Sequence, residues 1–340
     1  MDARPRRAER VDRYQRRHTW LGFPIAVVYK AFDDRALFLA ALVTYYAFVA
    51  LFPLLLIFVS TLGFVLQSHP EIRQDILNSA VGQIPGIGTT LKQNISGFKG
   101  SAAGLAVGGV GLIYGALGAT QSAQAAFNHI YAVPRNLQPN PIRSRLRSLG
   151  LLFLLGTAVV VSSGINFLVS NSNGISHQLG LGLKIVGYLV DLVINVGLFS
   201  VAFRVLTATE LHLRDVFAGG LITGAGWELL QAFGSRYVLH EVQHGSALYG
   251  VFGVVLATLA WIYLVALVIM VSAEINVVRG RKLWPRSLMS PFTDNIDPTP
   301  ADLVVYESYV RSHRFKGWLG IDVSFNPPEP RGGEPRAAPD

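Results

Sequence analysis

Cysteine is absent from the 340 residues, which excludes a disulfide framework, a thiolate zinc site, an iron–sulfur cluster and a cysteine nucleophile together. Charge is scarce as well. Asp, Glu, Lys and Arg make up 15% of the chain against 51% hydrophobic residues, and the mean hydropathy is +0.40. Soluble domains carry about 25% charged residues, so this composition points to a chain solvated by lipid. Acidic residues are the scarcer sign: 21 Asp and Glu face 29 Lys and Arg, for a net charge of +8. Nine of the basic residues precede Ala36 and nine lie at or beyond Arg279. Clustering at the two termini fits anionic lipid headgroups rather than a nucleic-acid groove, and no nucleic-acid partner is expected. Also missing are a Walker loop, a dinucleotide glycine fingerprint after a strand and a Gly-x-Ser-x-Gly elbow. The chain therefore reads as a non-enzyme without a cofactor, and Gly108-Gly109-Val110-Gly111 reads as helix packing rather than a phosphate cradle.

What the sequence has in place of these is long apolar runs. About 20 helical residues cross a hydrocarbon core of about 30 Å, and six runs reach that length: Ala36–Leu66, Ser101–Thr120, Leu149–Ser170, Leu183–Leu206, Val216–Gly234 and Ala247–Ala273. The expected fold is all-α, a polytopic membrane protein of six transmembrane helices with amphipathic interfacial helices. The first run is too long for a secretory h-region and no small-residue cleavage site follows it, so the basic arm is expected to stay. Lys and Arg at the span ends set orientation. The arm, the connection with Arg135, Arg143, Arg145 and Arg147, the pair Arg204 and Arg214, and the group Arg279, Arg281, Lys282 and Arg286 alternate, which puts both termini in the cytoplasm of an inner (plasma) membrane. Residues 1–35 are expected to form a basic cytoplasmic arm with an interfacial helix over Trp20–Asp34 or, alternatively, a helix packed there on neighbouring loops, 36–278 the membrane domain, and 279–340 a cytoplasmic tail. The tail holds one short helix, Asp302–Arg314, and a disordered end rich in Pro and Gly. On the outer side, Gln67–Gly100 repeats Ile72, Ile76, Ala80, Ile84 and then Ile87, Leu91, Ile95, Phe98 about Pro85, the spacing of two amphipathic helices.

Polar residues inside the spans are costly in lipid and mark cavities or helix contacts. Lys184, Tyr188, Asp191 and Asn195 share one face of the fourth run, and Gly224, Glu228, Gln231 and Ser235 share one face of the fifth. With both termini inside, Asp191 and Glu228 fall at similar depth, about 10–12 Å from the outer side at 1.5 Å per residue. With Asn166 of the third run, near Ser162, Ser163 and Ser170, they outline a candidate outward-facing cavity; interhelical hydrogen bonding without a ligand is the alternative. Gln121, Gln124 and Asn128 form a second polar face towards the cytoplasm. Glu274 lies within reach of arginines and reads as a structural ion pair. Gly104, Gly108, Gly111 and Gly115 in the second run, and Gly220 and Gly224 in the fifth, make flat faces for close packing within one bundle or, alternatively, for a homo-oligomer seam.

His240-Glu241-Val242-Gln243-His244 spells H-E-x-x-H, in which His240 and His244 would bind zinc and Glu241 would act as base. Context opposes it. No His follows Gly245 to complete the longer metalloprotease pattern, and the first downstream acid, Glu274, sits at the far end of the last run.

Several fragments resemble the YihY/BrkB family of bacterial inner-membrane proteins over roughly Trp20 to Val278. They are Tyr45-Tyr46-Ala47-Phe48 with Leu51-Phe52-Pro53-Leu54; Ala126-Phe127-Asn128-His129-Ile130-Tyr131; Trp227-Glu228; Tyr249-Gly250-Val251-Phe252-Gly253; Trp261-Ile262-Tyr263; and Ser272-Ala273-Glu274-Ile275. Ser272 stands where the family usually has Gly. Family members were once labelled tRNA-processing ribonucleases, and this chain has no carboxylate cluster in a soluble part to support such a role. The resemblance implies envelope functions such as serum resistance and the movement of lipid or lipopolysaccharide components, and it carries over no catalytic residue. The expected function is a permease for lipid or another envelope amphiphile, with membrane lipids as partners and anionic headgroups at the basic termini. A non-transporting envelope scaffold is the second reading, and a membrane zinc hydrolase the third.

Overall fold

The computed structural model describes residues 6–65, 102–171, 177–244, 250–290 and 297–325. Among them the regular elements are helical: α1 (Arg6–Arg17), α2 (Thr19–Asp33), α3 (Ala36–Val65), α4 (Ala102–Ile130), α5 (Pro141–Asn171), α6 (His177–Leu206), α7 (Leu213–His244), α8 (Gly250–Arg281) and α9 (Pro300–Ser312), with a 3₁₀ turn at Arg135–Leu137. The six from α3 to α8 run 29 to 32 residues each, or about 45 Å at 1.5 Å per residue. Among the described residues, Val186–Leu206 and Val255–Arg281 are long and apolar enough to cross a membrane. A third crossing is added if Thr19–Asp33 and Ala36–Leu51, bent by 60° where they meet, count as one. That is fewer than the six runs expected from the sequence.

The long helices close a ring. In it α3 packs on α4, α4 on α5, α5 on α6, α6 on α7, α7 on α8, and α8 back on α3, while α8 also touches α2 and α4. Only 33% and 28% of the two most apolar windows is buried. Phe38, Tyr45, Tyr114, Phe153, Val193 and Phe233 point outward. Water would penalise such a surface and lipid does not.

The tight core gathers at one end of the ring, where α1, α2 and α9 also sit; we call this the terminal end. Ala26, Ala36, Phe127, Ile130, Phe203, Val216, Met270, Val277, Leu283 and Val305 pack there. Phe127 and Phe203 meet edge to face at 5.2 Å, an arrangement that contributes about 0.5–1.5 kcal/mol beyond burial.

Local chemistry shapes this end. α2 stops at Asp34, and Arg35 takes a left-handed φ of 54° that turns the chain into α3. α4 and α8 stop in the same way, with Val133 N bonded to Asn128 O at 2.8 Å and Leu283 N to Val278 O at 3.0 Å. Ala132 and Lys282 occupy the left-handed position that glycine usually fills in such a cap. α9 starts with Pro300 and a reciprocal Thr299–Asp302 capping box.

Several boundaries differ from the sequence expectation. α5 starts at Pro141 rather than Leu149, because Pro suits the first helical turn and Arg143, Arg145 and Arg147 are good helix formers. α7 continues through His244, past Gly234 where the fifth run was expected to end. α1 is an added helix. The amphipathic pair expected in Gln67–Gly100 lies outside the described residues.

Candidate functional site: a buried charge cluster and a polar helix face

At the terminal end, α2 and the turn after it deliver Lys30 and Asp34, one helical turn apart, against Glu274 of α8. Their side chains are 1%, 0% and 0% exposed. The Lys30 ammonium donates to Asp34 Oδ2 and, at 3.1 Å, to the Ile130 carbonyl. It stands 3.6 Å from Glu274 Oε2. The Tyr309 ring of α9 closes over it, 5.2 Å from Nζ to the ring centre, a cation–π contact strengthened by exclusion of water. His129, at the end of α4, reaches in from a half-exposed position with Nε2 3.9 Å from Asp34 Oδ1.

This cluster holds two carboxylates against one ammonium. Both Glu274 oxygens, Asp34 Oδ1 and the hydroxyls of Tyr131 and Tyr309 are buried without a hydrogen-bond partner. Burial pushes the Tyr309 hydroxyl well above the usual phenol range, and Asp34 and Asp33 push it further. Tyr131 is raised by burial too, with Glu274 adding to the effect and Asn276 opposing it. Both phenols are therefore neutral.

Glu274 was expected within reach of arginines. Its partner is Lys30, because the nearby arginines are engaged elsewhere: Arg281 Nη2 donates to Tyr131 O at 2.6 Å, and Arg286 faces the tail. Sequence reasoning placed Lys30 in the basic arm and missed the i, i+4 spacing of Lys30 and Asp34, which is the readable signal of a pair. Tyr309 left no such signal.

Arg286 fastens the tail beneath this cluster. Its guanidinium, fully buried, bonds Asp33 Oδ2 at 2.7 Å and Asp302 Oδ1 at 2.9 Å, and its carbonyl accepts from Gln15 Nε2 at 2.5 Å. Burial works against its charge, yet Asp33 and Asp302 hold it above the usual arginine range. Asp302 also accepts from Ser287 N at 3.0 Å and Thr299 N at 2.9 Å. One carboxylate thus caps α9 and ties it to the α8–α9 loop.

The polar face predicted on α6 and α7 is partly assembled. Gly220 and Gly224 let α7 approach α6 closely: a Cβ at Gly224 would come 2.9 Å from Val196 Cγ2 and 3.2 Å from Val196 N. At this contact Asn195 Nδ2 donates to Glu228 Oε1 at 2.8 Å. Asp191, one turn away on α6, lies within electrostatic reach of Glu228. Asp191, Asn195, Glu228 and Gln231 are each half-buried, while Tyr188 is exposed. The side chains of Asn166, Lys184 and Ser235 lie outside the described residues, so the third helix's share of a cavity does too.

The second polar face divides. Gln124 is buried and bonds Ser148 Oγ at 3.0 Å and Ser144 O at 3.1 Å; Asn128 Oδ1 accepts from Ala208 N at 2.8 Å; Gln121 is exposed. Gly111, Gly115, Gly220 and Gly224 lie against the chain's own helices. A Cβ at Gly115 would meet Ala50 Cα at 2.7 Å, and one at Gly111 would meet Pro53 Cγ at 2.9 Å. His240 and His244 fall on the last turns of α7, with side chains outside the described residues. Among the described residues no group of three His, Asp or Glu side chains is placed to hold a metal.

A family described as virulence factor BrkB matches residues 27–292. The chain belongs to this family. Its relatives include a UPF0761 membrane protein of Psychrobacter sp. (strain PRwf-1), 24% identical over 82% of this chain and 53% of its own length. Another, from Ralstonia nicotianae, is 28% identical over 70% of this chain and 54% of its own. A third, from Pseudoalteromonas translucida, is 25% identical over 64% and 68%. The chain spans about half the length of the first two. No solved structure matches. The BrkB match takes in Lys30, Asp34, His129, Glu274 and Arg286, while Tyr309 and Asp302 of α9 lie beyond it. This is an integral membrane protein of the BrkB family whose family-matched part carries Lys30, Asp34, Glu274 and Arg286 and whose tail supplies Tyr309 and Asp302.

Proposed function

We propose that this BrkB-family chain is a six-span inner-membrane protein, both termini cytoplasmic, that moves a lipid or another envelope amphiphile between leaflets. The observation that carries the reading is the half-buried α6–α7 acid pair. Asn195 holds Glu228 at 2.8 Å, Asp191 lies in electrostatic reach, and the same helices expose Val186, Leu189, Val193, Leu229 and Phe233. Carboxylates left half-open on an apolar surface offer a polar track for a headgroup that carries hydroxyl or amine donors, while its acyl chains stay in lipid. Lipid partners and anionic headgroups at the basic arm belong to the same proposal. Six helices of 29 to 32 residues support six crossings, each exceeding the about 20 residues that one crossing requires.

Two measurements test it. Single cysteines at positions 90 and 140 report topology in a chain that has none of its own; the proposal expects position 90 to be labelled from outside and position 140 only after permeabilisation. Purified protein in liposomes should then speed leaflet exchange of labelled phospholipid over protein-free vesicles. Exchange at the protein-free rate across a panel of headgroups overturns the permease and leaves the scaffold.

A further inference from the structure

We propose that Glu274 is a buried proton-binding site, filled from the solvent through His129 and Asp34. The reasoning begins with charge. Lys30 supplies one positive charge and Asp34 and Glu274 two negative ones, all at 1% exposure or less. Lone charges in such a place cost several kcal/mol each unless balanced, and close carboxylates resist joint ionisation. Lys30 is committed to Asp34, to which it donates directly. Glu274 stands off at 3.6 Å, and neither of its oxygens accepts a hydrogen bond. A carboxylate with two orphan acceptors is the form this site disfavours; a neutral carboxylic acid removes the excess charge and converts one orphan acceptor into a donor.

The groups facing the site from every packed element fit this assignment. α2 and its turn contribute Lys30, Asp33 and Asp34, α4 and its end His129 and Tyr131, α8 Glu274 and Arg281, and α9 Tyr309. Arg281 is turned to the Tyr131 carbonyl, and Arg286 is spent on Asp33 and Asp302, so neither neutralises Glu274. Tyr131 and Tyr309 are neutral. A multivalent ion is disfavoured by the ammonium already present and by the lack, among the described residues, of a three-ligand group.

The site is also connected to the surface. Among the groups around Glu274, His129 is half exposed while its Nε2 stands 3.9 Å from Asp34 Oδ1, the oxygen that Lys30 leaves unpaired. A shift of the half-exposed imidazole by about 1 Å brings the two atoms to hydrogen-bond distance. The imidazolium Nε2–H bond breaks as Asp34 Oδ1 takes the proton; Asp34 passes it to the Glu274 carboxylate and returns to its anionic pairing with Lys30; His129 regains a proton from water. The inference is independent of the cargo assigned above.

The test is infrared spectroscopy of the full chain in lipid nanodiscs at neutral pH, with no cargo present. Wild type should show a protonated-carboxyl stretch that shifts in heavy water. Glu274→Gln should lose it, and Asp34→Asn should lose it as well, since Lys30 then pairs with an ionised Glu274. His129→Gln, changed at a half-exposed position, should keep the band but slow its hydrogen–deuterium exchange at least tenfold. Absence of the band in wild type, or its persistence in Glu274→Gln, overturns the site. Unchanged exchange in His129→Gln overturns the route. Stabilisation of wild type but not Glu274→Gln by sodium chloride, relative to choline chloride, would put a metal cation in the proton's place and also overturn it. Asp34→Asn and His129→Gln decide the matter even if Glu274→Gln does not fold.

Discussion

Replacing Arg286 with Met removes a buried charge while keeping an apolar stem of similar length. Both of its acidic partners lose a bond, Asp33 at 2.7 Å and Asp302 at 2.9 Å. Breaking a buried pair from one side costs about 3–5 kcal/mol, whereas an exposed pair is worth about 0–1 kcal/mol. Two features place this case at the lower end of the buried range. Asp302 keeps its donors from Ser287 and Thr299, and Asp33 is 17% exposed and can recover water. The expected loss is therefore about 3 kcal/mol, which corresponds to roughly a hundredfold rise in the population of chains with α9 released. Limited proteolysis within α9, on the full chain in nanodiscs, reads that population when cleavage is slower than reclosing. A rise of roughly a hundredfold is expected for Arg286→Met. Adding Asp302→Asn should cost less in that background than in wild type, because the two side chains share one network. A rise below threefold for Arg286→Met would refute the reasoning and reduce the latch to a surface contact.

Gly115→Val should destabilise the α3–α4 contact by about 1–3 kcal/mol through overpacking against Ala50, whereas Gly109→Ala, with open space around it, should be neutral or stabilising; thermal unfolding of both separates them. Because the Tyr309 hydroxyl is raised by burial and by Asp34, the folded chain binds more protons than the unfolded chain once pH passes about 10. Its contribution is full below that pH and falls as pH rises further, so Tyr309→Phe should flatten the alkaline limb of the stability curve. Purified protein should hold no stoichiometric zinc by elemental analysis, and His240→Ala with His244→Ala should leave that unchanged; zinc lost in the double variant would revive the hydrolase reading.

Composition was enough to read an all-helical membrane chain, because periodic apolar runs report lipid solvation directly. Helix ends were harder to place. α5 was expected from Leu149 because arginines look like a boundary, yet Arg143 to Arg147 are comfortable in an exposed helical turn; α7 ran past Gly234 because nothing there terminates a helix. The Asn195–Glu228 contact was legible as two facing polar stripes, with the Gly220 and Gly224 spacing pointing to a close approach. The Lys30–Asp34–Glu274 cluster was only half legible. Lys30 and Asp34 are local in sequence, but Glu274, His129 and Tyr309 come from three other helices, and only packing on α8 decides that Glu274 meets Lys30 rather than an arginine. The latch on Asp302 shows the same limit: a capping box is a local pattern, and its second use by Arg286 is not.

The permease account is tested most directly by leaflet exchange in liposomes holding wild type, Asp191→Asn or Glu228→Gln, each first shown to insert and fold. Losing the Asn195–Glu228 bond costs a membrane helix pair only about 0.6–1.7 kcal/mol, and the amides retain hydrogen-bonding capacity, so folding should survive. The account predicts that wild type accelerates exchange over protein-free liposomes and that each folded variant loses at least tenfold of that acceleration. Equal exchange in wild type and both amide variants would contradict it.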